Sequence, residues 1–470
     1  DRTSQNFGKV TLPALDDPDA VGFRVADGTL DFAVLTARES SANGTSYSKL
    51  ATVRKYTGFE AVLGRAQFVG IDPDVFNLVG RELVLQINRT TSTTGLLMNW
   101  RQEVLAGAGV DLGSNSAGFR IGGSVGMSIG GTLYLSATVH FSKSTVKGVD
   151  DPDDLGVRVL KGDLLSISIS QATVYLGSGA SLDPETGLVT LPALDDPDAV
   201  GFRVEGGTLD LGVFTARFAS TDGRTYSATS VRKFTAVEAS LGLATIQGLD
   251  PSTFSMSVTN LVFKMNRTSL ANGRVLDWTQ QSVESAQVDI GLQDPVLQIG
   301  GTLSLGIGGV VQVTGSFGYA KEVDSVSRQT RIKIGATGVS GTAGSDEYGV
   351  TGGTLGLILY RNAKGASQGY ALDGKLNGFA KGGAISAEAT LRVRQNTTVF
   401  AVNDTVPVLN QNVPVVFDTT EVAVAGKPFR SIALTDALIK IGEITIRGSY
   451  ESRPSGPRGE SITTITGASL

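Results

Sequence analysis

Closely spaced carboxylates are the residues of this sequence with the clearest capacity for chemistry. Two clusters fall in a repeated LPALDDPD segment: Asp16, Asp17, Asp19, Asp195, Asp196 and Asp198. A third cluster comprises Asp150, Asp151, Asp153 and Asp154. Several carboxylates in one loop can hold Ca²⁺, a hard cation that prefers oxygen ligands. The DDPD pattern lacks the glycine and the regular acidic spacing of known calcium loops, and Asp followed by Pro also initiates ordinary turns. The six aspartates of the repeated segment are therefore candidate calcium ligands, with a solvated turn as the alternative.

Catalytic chemistry has few candidate residues. The chain contains no cysteine and a single histidine, His140. A nucleophile with its base, or a zinc site, needs partners that this composition does not supply. The glycine-rich stretch IGGSVGMSIGG lacks the Gly-Lys-Ser/Thr of a phosphate-binding loop. We expect a protein that is not an enzyme, with no catalytic residues and no cofactor other than calcium at the aspartates above.

Asparagines in Asn-x-Ser/Thr sequences are the candidate modification sites. There are five of them: Asn43, Asn88, Asn266, Asn396 and Asn403. Three, Asn88, Asn266 and Asn396, fall at the equivalent point of the repeats described below and are candidates for glycosylation. The alternative is a structural asparagine at the end of a strand. Large aromatic residues recur in the same way, at Trp100, Trp278 and Phe417, and we interpret them as core residues rather than as platforms for a sugar.

Internal repetition is the strongest pattern in the chain. The sixteen letters VTLPALDDPDAVGFRV begin at Val10 and begin again at Val189. Shorter matches continue at a similar offset, including GTLD, TAR, VRK, NRT and IGG. A third, divergent copy follows, in which GGTLGLILY from Gly352 matches GGTLDLGVF from Gly206. The third copy lacks the LPALDDPD segment. We therefore predict three repeat units, at 1–171, 172–330 and 331–470.

The two ends of the sequence fall at nearly the same point of the repeat. The chain ends on SITTITGASL, and the similar stretches SISISQATV and GASLDPETG precede the second LPALDDPD segment. It begins with DRTSQNFGK, directly before the first such segment. This match of phase predicts one part of a longer periodic object, continued covalently or by assembly of subunits. Ends that fall there without structural meaning are the alternative.

Composition and local period indicate the fold class. The chain has 60 glycines, and its 40 basic and 45 acidic residues leave a net charge of -5. This balance offers no reason to expect nucleic acid as a partner, and no apolar run is long enough to predict a membrane span. Segments such as TLDLGVF alternate apolar with polar or small residues, as half-buried strands do, and Asn-Gly and Asp-Gly pairs predict hairpins. Glycines within strands, such as Gly300 and Gly301, indicate close approach of backbones. We predict an all-β chain, an elongated tandem-repeat array of mostly antiparallel β-modules, with a β-solenoid as the alternative and little or no helix.

The motifs LDDPDAVGFRV, GTLDL, Tyr-x-Ala and Asn-Arg-Thr resemble the β-rich, glycine-rich tandem repeats of giant bacterial surface or secreted fibre-like proteins. This resemblance covers essentially the whole chain, and it is compositional rather than catalytic. It implies an extracellular or cell-surface location and a structural or adhesive role, and it transfers no active site.

Two functions follow as hypotheses. The first is a structural extracellular filament or surface stalk whose main partner is itself, as a homopolymer or by head-to-tail continuation of the chain. The second is an adhesin that binds surface glycans or a host surface through loops on one face.

Overall fold

Long antiparallel strands make up most of the chain. The computed structural model of the 470-residue chain describes the following residues: 22–38, 53–69, 71–72, 75–92, 95–113, 118–153, 159–194, 196, 198–219, 226–247, 254–269, 273–284, 290–307, 311–324, 327–344, 347–454 and 461–469. Within these ranges, eighteen strands belong to one antiparallel sheet, and two pairs, β7–β8 and β18–β19, form two-stranded sheets. The strands of the first half are β1 Gly22–Ala37, β2 Arg54–Val69, β3 Phe76–Thr90, β4 Phe119–Ile129, β5 Leu133–Asp150, β6 Val159–Gly177, β7 Ser181–Leu182, β8 Val189–Thr190 and β9 Gly201–Ala219. Those of the second half are β10 Tyr226–Gln247, β11 Phe254–Thr268, β12 Val296–Ile307, β13 Val311–Val323, β14 Thr330–Ala343, β15 Tyr348–Arg361, β16 Ser367–Gly382, β17 Ile385–Asn396, β18 Val402–Val408, β19 Gln411–Phe417, β20 Phe429–Ile441, β21 Ile444–Pro454 and β22 Ser461–Ser469.

Helix is confined, among the described residues, to two short segments. A 3₁₀ helix covers Glu103–Ala108, and α1 covers Gln281–Glu284. Neither these nor any other helix in the described ranges has the length and apolar character needed to cross a membrane.

The chain divides into two compact units. Unit 1 comprises residues 1–234 and 278–291, and unit 2 comprises residues 235–277 and 292–470. In unit 1, β1 to β6 pair in chain order, each antiparallel to the next, and β6 then pairs with β9. In unit 2, β11 to β17 pair in the same consecutive way, and β17, β20, β21 and β22 continue the series. The expected all-β class with antiparallel, hairpin-connected strands is confirmed.

A row of glycines in unit 2 allows the β18–β19 hairpin to pack closely on the sheet. Gly300, Gly318, Gly335 and Gly356 are successive cross-strand partners on β12, β13, β14 and β15. A Cβ at Gly335 would lie 2.7 Å from Cγ1 of Val406, and one at Gly318 would collide with the carbonyl oxygen of Pro407. The row therefore lacks side chains where the hairpin backbone approaches the sheet, which is the role that glycine in a strand interior predicts.

The hairpin closes a hydrophobic core on this face of unit 2. Successive side chains of its two strands point to opposite faces, so that one face of the hairpin is turned toward the sheet. The buried members of the core are Ile358, Tyr360, Ala371, Val402, Val406, Val408, Val413, Val415 and Phe417. The hairpin connects β17 to β20. In the order of elements it is therefore equivalent to the segment with the 3₁₀ helix, which connects β3 to β4 in unit 1.

Two of the predicted unit boundaries can be located on strands. Residue 171 lies inside β6, and residue 330 is the first residue of β14. The division of the sequence into 1–171, 172–330 and 331–470 stays a prediction.

Candidate functional site

The strand-end asparagine Asn88 organises the segment that follows β3. Its side chain is fully buried. Nδ2 donates to the carbonyl oxygens of Met98 at 3.0 Å and Gly113 at 3.1 Å, and Oδ1 accepts from Nε1 of Trp100 at 3.3 Å. One amide thus satisfies two backbone acceptors and the indole of the segment, as a buried polar group requires.

Trp100 is the hydrophobic centre of the same segment. It is 2% exposed and forms a buried cluster with Val110 and Leu112, against which Leu35 and Tyr56 pack. A Cβ at Gly58, on β2, would lie 2.7 Å from the indole, so glycine there admits the ring. Trp278 and Phe417 are also buried, as the interpretation of these aromatics as core residues requires.

Asn266 and Asn396 hold the corresponding loops in the same manner. Nδ2 of Asn266 donates to the carbonyl oxygen of Leu276 at 3.0 Å, and Nδ2 of Asn396 donates to that of Glu421 at 2.9 Å. Both side chains are buried. The atom to which a glycan would be attached is thus used inside the fold in all three asparagines, in agreement with the structural alternative. Asn403 is exposed, and Asn43 lies outside the described residues.

The acidic clusters are described only in part. Asp16, Asp17, Asp19, Asp154 and Asp195 lie outside the described residues. Oδ1 of Asp196 accepts from the backbone N–H of Asp198 at 3.0 Å, as in a turn initiated by aspartate. Within the described ranges, no group of three or more histidine, aspartate or glutamate residues could hold a metal ion. Calcium binding by the repeated segment therefore stays a prediction.

Asp151 has a cationic partner from the protein itself. Its side chain is fully buried, and Oδ1 accepts from the Arg232 guanidinium at 2.7 Å. The same guanidinium pairs with Asp153 at 2.9 Å. An arginine thus supplies positive charge to this cluster, which a buried carboxylate requires.

Among the described strands, β1 pairs with β2 alone and β22 pairs with β21 alone, and both carry exposed apolar residues. On β1, Leu30 is 64% exposed, and on β22, Ile465 is 68% exposed. Every described side chain of β22 is exposed, over residues 462–469. β22 pairs in register with β21, and β1 pairs in register with β2.

The repeats assign Leu30 and Ile465 equivalents that are paired with each other. The GTL motif aligns Leu30 with Leu209 of β9 and Leu355 of β15. Leu209 is the cross-strand partner of Ile169 on β6, and Leu355 is the partner of Ala336 on β14.

Ile465 aligns with Ile169 and Ala336 through the neighbouring strand. Ile465 faces Tyr450 of β21, Ala336 faces Phe317 of β13, and Ile169 faces Val139 of β5. Tyr450 and Phe317 are equivalent in the repeat. The surfaces of β1 and β22 therefore correspond to the two sides of one strand pairing that occurs twice within the chain. The motif GTL was visible in the sequence, but its cross-strand partner was not.

Comparisons with known proteins supply no family. No family model matches the chain, and no curated protein matches it. Among solved structures, the siderophore receptor PirA from Acinetobacter baumannii is similar over 94% of this chain and 73% of that chain, at 9% identity and a TM-score of 0.22. A likeness at this level carries no argument about fold or function.

Proposed function

We propose that this chain is a structural, self-associating repeat protein of an extracellular or cell-surface filament, joined to a second copy of itself edge to edge. In this arrangement β22 of one copy pairs antiparallel with β1 of the next. The pairing reproduces those of β6 with β9 and β14 with β15, and it brings Ile465 opposite Leu30.

The observation that carries this proposal is the exposure of Leu30 and Ile465. Their equivalents Leu209 and Ile169 are cross-strand partners, and both are half-buried rather than exposed. Exposed edge strands expose unpaired backbone groups and are a template for another strand. Strand addition satisfies those groups with main-chain hydrogen bonds, and the side chains set the register.

The tandem repeat supplies the complementary edges that such an assembly needs. A contact between two different surfaces of identical subunits is heterologous, and it generates an open filament if the rotation does not close. Each added copy then buries one more strand pair, as neighbouring repeats do in a stacked array.

Sedimentation velocity over a range of concentrations, with negative-stain electron microscopy of the same samples, tests the proposal. We expect the unmodified chain to form linear oligomers, and Ile465→Lys to shift the population to monomer because it places a charge at the joint. Val399→Lys is the matched control, since Val399 is 78% exposed shortly after β17, a strand that pairs with β16 and β20 and with neither β1 nor β22. A chain that stays monomeric at every concentration, or equal loss of assembly in both variants, would contradict the proposal.

A further inference from the structure

We propose that a polar cavity on the sheet of unit 1 binds a small oxyanion, a sulfate, phosphate or carboxylate group. The cavity has a volume of about 200 Å³ and is lined by Arg120, His140, Phe141, Ser142, Ser166 and Ser168. This site goes beyond the structural role proposed above and does not depend on it.

Strand register brings the polar lining residues together. Arg120 on β4 faces Ser142 on β5, and Ser142 faces Ser166 on β6. One step along the strands, His140 faces Ser168. Cross-strand partners project from the same face of a sheet, so one arginine, one histidine and three hydroxyls share this surface.

The positive charge at this surface is that of Arg120. In the part of the chain that the structure describes, Arg120 makes no ion pair. Its cross-strand neighbour on β3, Gln86, donates to Oε1 of Glu60 at 2.7 Å, and Oε2 of Glu60 accepts from the backbone N–H of Asp111. On the row of Arg120, the nearest carboxylate, that of Glu60, is therefore already engaged. A guanidinium beside hydroxyl donors is the donor set that recognises carboxylate, sulfate or phosphate.

Two of the hydroxyls are positioned in advance. Ser142 and Ser166 are 5% and 7% exposed, and their Oγ atoms lie 2.7 Å apart. Only one proton can lie between the two oxygens, so the other hydroxyl keeps a proton that it can donate to a ligand. Asp210 is the cross-strand partner of Ser168 on β9 but does not line the cavity.

Unit 2 contains a row of residues equivalent to the row that lines the cavity in unit 1. Register and repeat alignment place Gln298, Ala320 and Lys333 where unit 1 has Arg120, Ser142 and Ser166. There the β18–β19 hairpin covers the sheet, and Oδ1 of Asp404 lies 2.9 Å from Nζ of Lys333.

In unit 2 the carboxylate of Asp404, a residue of the protein itself, thus lies over this row. Unit 1 has an open cavity on the corresponding row, lined by Arg120, which no described carboxylate pairs with. Gly318, the equivalent of His140, is one of the glycines that the hairpin covers. His140 itself is exposed. The difference between the two repeats favours an external anion in unit 1.

The single histidine makes the test specific. With ¹³C-labelled histidine, the imidazole Hε1 signal of His140 reports this cavity alone, because the chain has no other histidine. We expect sodium sulfate, titrated at constant ionic strength against sodium chloride, to shift this signal saturably. Arg120→Gln introduces the residue found at the equivalent position 298, so the variant should fold, and we expect it to weaken sulfate binding at least tenfold. Arg430→Gln, at an exposed arginine of β20, is the control that should bind as the unmodified chain does.

A shift that does not saturate, or one that Arg120→Gln leaves unchanged, would overturn the proposal. Inorganic phosphate and methyl glucuronide, titrated in the same way, identify the source of the anion. Tighter binding of the glucuronide indicates a group carried on a saccharide, and equal or tighter binding of the inorganic ions indicates a free oxyanion; either result supports the site.

Discussion

The indole Nε1 of Trp100 donates a hydrogen bond to Oδ1 of Asn88 at 3.3 Å, with both side chains buried. An asparagine near the end of β3 is thereby joined to the core residue of the segment that follows. The two backbone acceptors of Asn88, Met98 and Gly113, lie before and after Trp100 in the chain. The asparagine therefore closes this segment onto the sheet.

Asn88→Ala should lower the free energy of unfolding by at least about 1–3 kcal/mol, because it leaves the buried indole and two carbonyl groups without partners. Urea denaturation followed by tryptophan fluorescence measures this loss. Asn403→Ala removes an exposed asparagine and should change the stability by less than about 0.5 kcal/mol. Equal effects of the two substitutions would show that Asn88 does not organise the segment.

Gly318→Ala should destabilise unit 2 by about 1–3 kcal/mol, since the added methyl group meets the Pro407 carbonyl under the hairpin. Gly382→Ala is the matched control on β16, because a Cβ there meets no atom within 4 Å. Thermal unfolding of the two variants provides the comparison. A neutral Gly318→Ala would mean that the hairpin does not rest on the glycine row.

Tyr360 should make the hairpin core sensitive to alkaline pH. Burial raises the pKa of its hydroxyl above the usual value, and the Asp404 carboxylate adds to the rise. A raised pKa in the folded state favours the neutral phenol, so the associated stability is complete below the unfolded value of about 10 and is lost as the pH rises above it.

Urea denaturation between pH 8 and pH 11 measures this dependence. Tyr360→Phe keeps the ring and removes the ionisable group, so its stability should fall less steeply over that range than that of the unmodified chain. Lysines titrate in both proteins, and the difference between the two curves therefore isolates Tyr360. Identical curves would contradict the role of burial at this residue.

Asp151→Asn should destabilise unit 1 by about 3–5 kcal/mol, because it leaves the buried Arg232 guanidinium without its closest charged partner. The loss should be the same with and without a calcium chelator, since arginine supplies the positive charge at this cluster.

A separate melt of the unmodified chain with and without chelator tests the predicted calcium sites at Asp16, Asp17, Asp19, Asp195, Asp196 and Asp198. No shift in that melt would exclude them.

Much of the fold could be predicted from local patterns. Alternation in segments such as TLDLGVF depends on the period of a strand, which adjacent residues reveal. The burial of Trp100 and Trp278 followed from their size and their recurrence. Close approach of backbones was expected at Gly300, but the hairpin that approaches its cross-strand partner Gly318 comes from residues about ninety positions later. Contacts of that kind depend on tertiary packing, which the local pattern does not specify.

The candidate sites were harder to predict for the same reason. Asn88 reads as a surface sequon or as a strand-end residue from its neighbours alone, and only its burial distinguishes the two. The joint between Leu30 and Ile465 requires the registers of β6 with β9 and β14 with β15. Arg120, His140 and Ser166 are distant in sequence and are brought together by the pairing of three strands.

Disulfide trapping tests the edge-to-edge pairing most directly. The chain has no cysteine, so Leu30→Cys and Ile465→Cys can be made in separate chains and mixed under mild oxidation. Cross-strand partners lie within the range that a disulfide spans. We expect a covalent dimer from the mixture and none from Val399→Cys mixed with Ile465→Cys. Equal yields from the two mixtures, or no dimer from the first, would contradict the pairing of β22 with β1 of a second copy.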